Sequence, residues 1–218
     1  MNSPLLQLLV LAGIAIFLIL RLKSVLGTRE GFEKPPLPKQ NADRNKPEFE
    51  VIEGGPDRDI TDHVPEDSDT AETLAAMKRV EPSFSVSDFV QGARGAYEMI
   101  VMSFERGEVE QIRPYLAEDV YETFAEVVRH REEQGLTIEA EFIGVREVAL
   151  VDARFDKDTN EAEITIRLVG ELTSVVRDRA GEIVEGSPNT VKRQKDVWTF
   201  ARVMGSPDPN WLLVATDA

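Results

Sequence analysis

The chain opens on an unbroken apolar stretch. From Pro4 to Leu20 there is no charge and one uncharged polar side chain, Gln7. At about 1.5 Å per residue a helix through it reaches about 25 Å, slightly short of a hydrocarbon core about 30 Å thick. Leu22, Val25 and Leu26 extend the run and Arg21 and Lys23 can snorkel, so a membrane span over about 4–22 is expected within an anchor of residues 1–26. A cleaved signal peptide wants positive charge before the apolar run and a small-x-small site after it, and neither is present. Arg21, Lys23, Arg29 and Lys34 all follow the run, which by the positive-inside rule puts the N-terminus outside and the remainder in the cytoplasm.

Residues 27–70 hold six prolines, many acids and few large apolar side chains. Such a stretch cannot bury enough surface to offset its ordering entropy, and it reads as a disordered linker. Helical spacing returns at residues 71–80, where Leu74, Met77 and Val80 share a stripe that would dock on the following domain. That domain, 81–218, begins with two long helices. Ser87 or Asp88 can cap the first, which carries Phe89, Ala93, Tyr97, Ile100, Val101 and Phe104 on one face and stops at Gly107. Gly92 and Gly95 inside it disfavour the helix by about 1 kcal/mol each, so a close backbone approach is expected there. Pro114 marks a new helical entry, and the second helix, Ala117 to Gln134, ends at Gly135 in the left-handed C′ position.

From Leu136 the apolar period changes to two. Ile138, Ala140 and Phe142 alternate with acids before Gly144, a candidate bulge; Ala162, Ile164, Ile166 and Leu168 repeat the pattern after a turn at 156–160. Asp178–Gly181 reads as a second turn and Gly186–Asn189 as a third break, followed by strands at 191–204 and 211–216. Helices first and hairpin-linked strands after make an α+β fold, with helices on one face of a curved antiparallel sheet and a pocket where the layers diverge.

Charge narrows the chemistry. The formal net charge of −15 argues against a nucleic-acid partner, since phosphate-backbone binding needs concentrated Lys and Arg. Basic residues beside the span suit anionic headgroups, while the acidic tract at 48–72 lifts the chain from the same surface. The absence of cysteine excludes disulfides, thiolate nucleophiles and thiolate metal sites. Of the two histidines, His63 lies in the expected linker and His130 at a charged helical end, so no His-based catalytic or metal site is expected, and no cofactor. Glu139, Glu141, Glu163 and Glu171 alternate with the apolar strand positions and face away from the core; Asp152 and Asp196 pair with no histidine. An acid–base pocket enzyme is therefore disfavoured. The polar-tipped aromatics Tyr97, Tyr115, Tyr121 and Trp198 are the candidates for a pocket mouth, and Arg94, four residues before Glu98, for a partner contact or an exposed pair worth about 0.3 kcal/mol.

Several segments resemble the Tim44-like domain family. They are Pro82-Ser83-Phe84, Phe89, Gly92-Ala93-Arg94, Ala96 to Val101, Phe104 and Val120-Tyr121 with Phe124, then Asp196 to Phe200 and Pro209 to Thr216. The resemblance covers about residues 80–218. It implies an NTF2-like cone without enzymatic activity; the family's mitochondrial members scaffold a chaperone motor at the inner-membrane translocase and associate with anionic lipid, and the chaperone-binding part is not carried over to this chain. The chain departs from the mitochondrial members in having an apolar anchor and a short acidic linker instead of an Arg-rich presequence, so it looks like a bacterial form from an alphaproteobacterial inner membrane. The partners expected are inner-membrane lipid through the anchor and a protein partner for the domain; the alternative reading puts a lipid or other amphiphile in the cone cavity instead.

Overall fold

The computed structural model describes residues 55–217, which hold a short strap, three longer helices with their connections, and one sheet. The expected anchor, its basic residues Arg21, Lys23, Arg29 and Lys34, and most of the expected linker lie outside the described residues. Among the described residues no helix is long and apolar enough to cross a membrane.

The last part of the expected linker, 57–68, is folded, which corrects its assignment to disordered chain. Asp57 caps a single helical turn, α1 (Arg58–Thr61), by accepting the Asp59 N–H at 3.0 Å. Ile60 and Val64 are buried in the core. Two apolar anchors suffice here because acids make the remaining contacts. Asp59 accepts Val86 N–H at 2.7 Å, Ser87 N–H at 2.9 Å and the Ser85 hydroxyl at 3.0 Å, and binds Lys78 at 2.8 Å. Even His63 is held, its Nε2 lying 3.1 Å from the Ser87 hydroxyl. Helix α2 (Asp69–Val80) follows, capped by Ser68 Oγ on the Ala71 N–H; it docks on the domain through Leu74 and Met77, both fully buried, whereas Val80, the third member of the stripe, is exposed at the helix end.

Helix α3 (Val86–Glu105) is capped by Ser85, two residues before Ser87 and three before Asp88, because Ser85 Oγ accepts the Asp88 N–H at 3.1 Å. Its predicted apolar face is buried along Phe89, Ala93, Tyr97, Ile100 and Val101. A short α4 (Val109–Ile112) and a 3₁₀ turn holding Pro114 lead into α5 (Glu118–Gln134), which Gly135 ends at φ 70° as predicted. Strands β1 (Thr137–Phe155), β2 (Glu161–Arg177), β3 (Ile183–Val203) and β4 (Leu212–Asp217) form one antiparallel sheet in sequence order.

Register shifts at Phe142/Gly144, Val145/Glu147 and Leu150/Asp152 put bulges along β1, the first where Gly144 predicts one. Bulges bend a strand and increase its twist, which curves the sheet around α3. Gly186–Asn189 is not a break between strands. Pairing resumes from Ser174↔Ser187 to Leu172↔Lys192, so the extra residues loop out within β3, and Gly186 takes φ 80° beside the Ser174 carbonyl. The core lies between α3 and the concave face, where Ile164, Ile166, Leu168, Trp198, Phe200 and Leu213 are buried. Gly92 and Gly95 have no close neighbour: a Cβ on either would meet nothing within 4 Å.

Candidate functional site

Two clusters of polar chemistry flank α3. The first is closed. Tyr97 is 0 % exposed and its hydroxyl donates to Asp196, itself 7 % exposed; Gln194 Nε2 donates to the other carboxylate oxygen at 3.2 Å. The Trp198 ring lies 4.8 Å from that of Tyr97. Burial, reinforced by the carboxylate it faces, holds the Tyr97 phenol well above its ordinary pKa, so it stays a neutral donor. Gly170 on β2 makes room for the ring, because a Cβ there would sit 2.7 Å from Tyr97 Cε1. Nothing in this cluster opens to a ligand-sized space, and it joins helix to sheet.

The second cluster is open. The first turns of α3 diverge from the β3–β4 loop, leaving a groove of about 510 Å³. Its apolar wall is Phe84, Phe89, Ala93, Ala96, Phe200 and Trp211, with the Phe89 and Trp211 rings edge to face at 4.8 Å. Gly92 lines it as well, so the missing side chain leaves groove volume. Ser83, Ser85, Asp88, Tyr115 and Asn210 supply polar groups around this wall.

Arg202 organises the far wall. Its side chain is 8 % exposed, and Nη2 donates to Glu81, the residue that ends α2. Nη1 donates to the Pro209 carbonyl at 3.1 Å, and the guanidinium lies 5.3 Å from the Trp211 ring centre. Glu81 also accepts the Gly205 N–H at 2.8 Å. Burial alone would raise the Glu81 pKa, yet the Gly205 N–H and Arg202 outweigh it and hold the carboxyl below its ordinary value. The Arg202–Glu81 pair thus ties the end of α2 to both ends of the loop that carries Trp211, Glu81 at Gly205 and Arg202 at Pro209. Among the described residues, Arg202 Nε is the buried side-chain nitrogen left without an acceptor.

Of the candidates from sequence, Tyr115 alone lines this groove, at 38 % exposure. Tyr97 and Trp198 belong to the closed cluster. Tyr121 is buried against Arg113, whose guanidinium lies 4.5 Å from its ring, and donates to Glu110. Arg94 does not pair with Glu98 but donates to the Val145 carbonyl, fastening α3 to β1. Arg202 carried a signal in the sequence, a lone charge between Ala201 and Val203 in an apolar strand, but its partners Glu81 and Pro209 lie too far along the chain for spacing to reveal. Among the described residues no group of three or more His, Asp or Glu side chains is placed to hold a metal ion.

Comparison with known proteins agrees with the segments singled out above. The human "Mitochondrial import inner membrane translocase subunit TIM44" is 24 % identical over 143 residues, 65 % of this chain and 31 % of that protein. The Arabidopsis thaliana "Mitochondrial import inner membrane translocase subunit TIM44-1" is 22 % identical over 146 residues, 67 % of this chain and 30 % of its own length. The chain therefore spans less than a third of the curated relatives it matches. A solved structure, the intermembrane space region of chloroplast protein ARC6, superposes with a TM-score of 0.40 at 12 % identity, covering 59 % of this chain and 94 % of that one. The Tim44-like domain matches residues 70–218, from α2 to the C-terminus, and by that match the chain belongs to the Tim44-like domain family.

Proposed function

We propose that this chain is a non-enzymatic adaptor, held at a bacterial inner membrane by its N-terminal apolar segment, whose domain binds a protein partner in the cytoplasm. In this reading the domain is an NTF2-like cone and the groove beside Trp211 is its working surface. The observation that carries it is that groove: an open aromatic wall of about 510 Å³ with serines, an asparagine and acids around it, and no nucleophile–base pair. A surface of that kind is suited to binding and orienting a partner. The names of the relatives, subunits of a membrane translocase, support an adaptor in general.

In-cell photocrosslinking with a probe at Tyr115 and at Asn210, followed by mass spectrometry of solubilised membranes, tests the reading. A discrete protein adduct from both positions is the expected result. Lipid adducts alone would replace it with the second reading, an amphiphile seated on the same apolar wall. Topology is tested separately, because a cysteine introduced at Ser3 or at Ser83 is the only thiol in the chain. Labelling by an impermeant maleimide in intact cells is expected at Ser3 and not at Ser83; the reverse would overturn the orientation.

A further inference from the structure

We propose that the Arg202 Nε–H is the polar recognition point of the groove, and that it takes a neutral backbone carbonyl from a partner segment whose large apolar side chain packs against Phe84, Phe89 and Trp211. The inference rests on the adaptor reading and names the chemistry of the partner. A buried N–H without an acceptor loses its water and gains nothing in return, so an acceptor that reaches it is favoured over solvent. Two of the guanidinium nitrogens are already occupied, Nη1 by the Pro209 carbonyl and Nη2 by Glu81. Nε remains.

Charge selects the acceptor. The Arg202 cation is already matched by the Glu81 carboxylate, and Asp88 stands on the same groove. A second carboxylate or a phosphate at Nε would be desolvated beside Glu81 and repelled by it, in a chain whose net charge is −15. A carbonyl meets the same N–H without that repulsion. Peptide segments present such carbonyls next to large apolar side chains, and the Ser83, Ser85 and Asn210 groups along the groove can satisfy the neighbouring backbone. Fatty acids and anionic phospholipids carry the disfavoured charge at their polar end. Nε is buried in the free domain, so the carbonyl reaches it only when neighbouring side chains of the groove wall give way.

The full chain in phosphatidylcholine nanodiscs, labelled with 5-fluorotryptophan and with ¹⁵Nε-arginine, provides the test. The chain has two tryptophans, Trp211 in the groove and Trp198 in the closed core, so the second is an internal control. The probe is the neutral blocked dipeptide N-acetyl-leucyl-phenylalaninamide, with dodecanoate as the competing amphiphile. The dipeptide is expected to shift Trp211 and the Arg202 Nε–H resonance while leaving Trp198 in place. Arg202→Lys keeps a cation for Glu81 but removes Nε–H, and is expected to weaken dipeptide binding about tenfold. An Arg202 Nε–H resonance that does not move in the wild-type chain overturns the proposal without recourse to a variant. Dodecanoate that binds more tightly than the dipeptide overturns it as well. Protein adducts at Tyr115 and Asn210 together with an unmoved Nε–H would leave the adaptor reading standing and remove this inference alone.

Discussion

Tyr97→Phe deletes one oxygen atom from a fully buried position and leaves the ring packing intact, so its effect reports the hydrogen bond to Asp196. The Asp196 carboxylate is 7 % exposed and would keep only Gln194, at 3.2 Å, as a side-chain donor. A lost hydrogen bond to a buried charged acceptor costs about 1.5–3 kcal/mol, and the Gln194 contact places the expected loss near the lower end, about 1.5–2 kcal/mol at pH 7. Alkaline pH supplies a second signature. The folded state holds the Tyr97 phenol above its ordinary value of 10.0, whereas the unfolded chain ionises near that value. Above about pH 10 the unfolded state therefore binds fewer protons than the folded one, and stability falls as pH rises, by about 1.4 kcal/mol per unit for one group. The phenylalanine variant lacks that term. Urea unfolding of both proteins, each at pH 7, 10 and 11, is the assay; lysines and the other tyrosines titrate in both and cancel in the difference. The stability gap between wild type and variant is expected to be present at pH 7 and to shrink between pH 10 and 11. A gap that stays constant across that interval would refute the reasoning.

Other substitutions probe the neighbouring features. Gly170→Ala drives a Cβ into the Tyr97 ring and is expected to lower stability by about 1–3 kcal/mol, read as a fall in the urea midpoint at pH 7. Gly92→Ala meets nothing within 4 Å and removes a helix-interior glycine, so a gain of about 0.5–1 kcal/mol in the same assay is expected. Asp59→Asn weakens the contact that holds the strap to the start of α3, with an expected loss of about 0.5–2 kcal/mol at pH 7. Burial opposes ionisation of Asp59, but Lys78 and the Ser87 and Val86 amides outweigh it and hold the carboxyl below its usual 3.8. Its contribution is thus complete above that value and lost as pH falls toward the folded pKa. The difference between wild type and Asp59→Asn in an acid titration followed by circular dichroism is expected to narrow below about pH 4.

What could be read from sequence and what could not divide along the range of the signals. The buried face of α3, the left-handed Gly135 and the bulge at Gly144 are each encoded within a few residues, and each appears where the pattern places it. The looped-out segment in β3 reads as a break in sequence because Gly186 and Pro188 are turn-forming residues, and only the pairing with β2 shows that the strand continues past them. The strap was hidden by composition: two apolar anchors, Ile60 and Val64, are too few to outweigh prolines and acids in a local reading, and the amides that receive Asp59 lie on another helix. The groove was the least legible. Glu81, Arg202 and Trp211 meet across three elements, and the aromatic tips chosen by residue type went mostly to the interior.

The strap also fixes how the domain takes mechanical load. A pull on the chain from its N-terminal side is transmitted through Asp57 and Asp59, which share Lys78, into the first amides of α3. Those amides sit beside Ser85 and Asp88, on the wall of the groove. Tension entering at residue 57 is therefore expected to act on the geometry of the groove. The strap and the groove wall are thus joined through Asp59, with Ile60 and Val64 buried beneath the same contact.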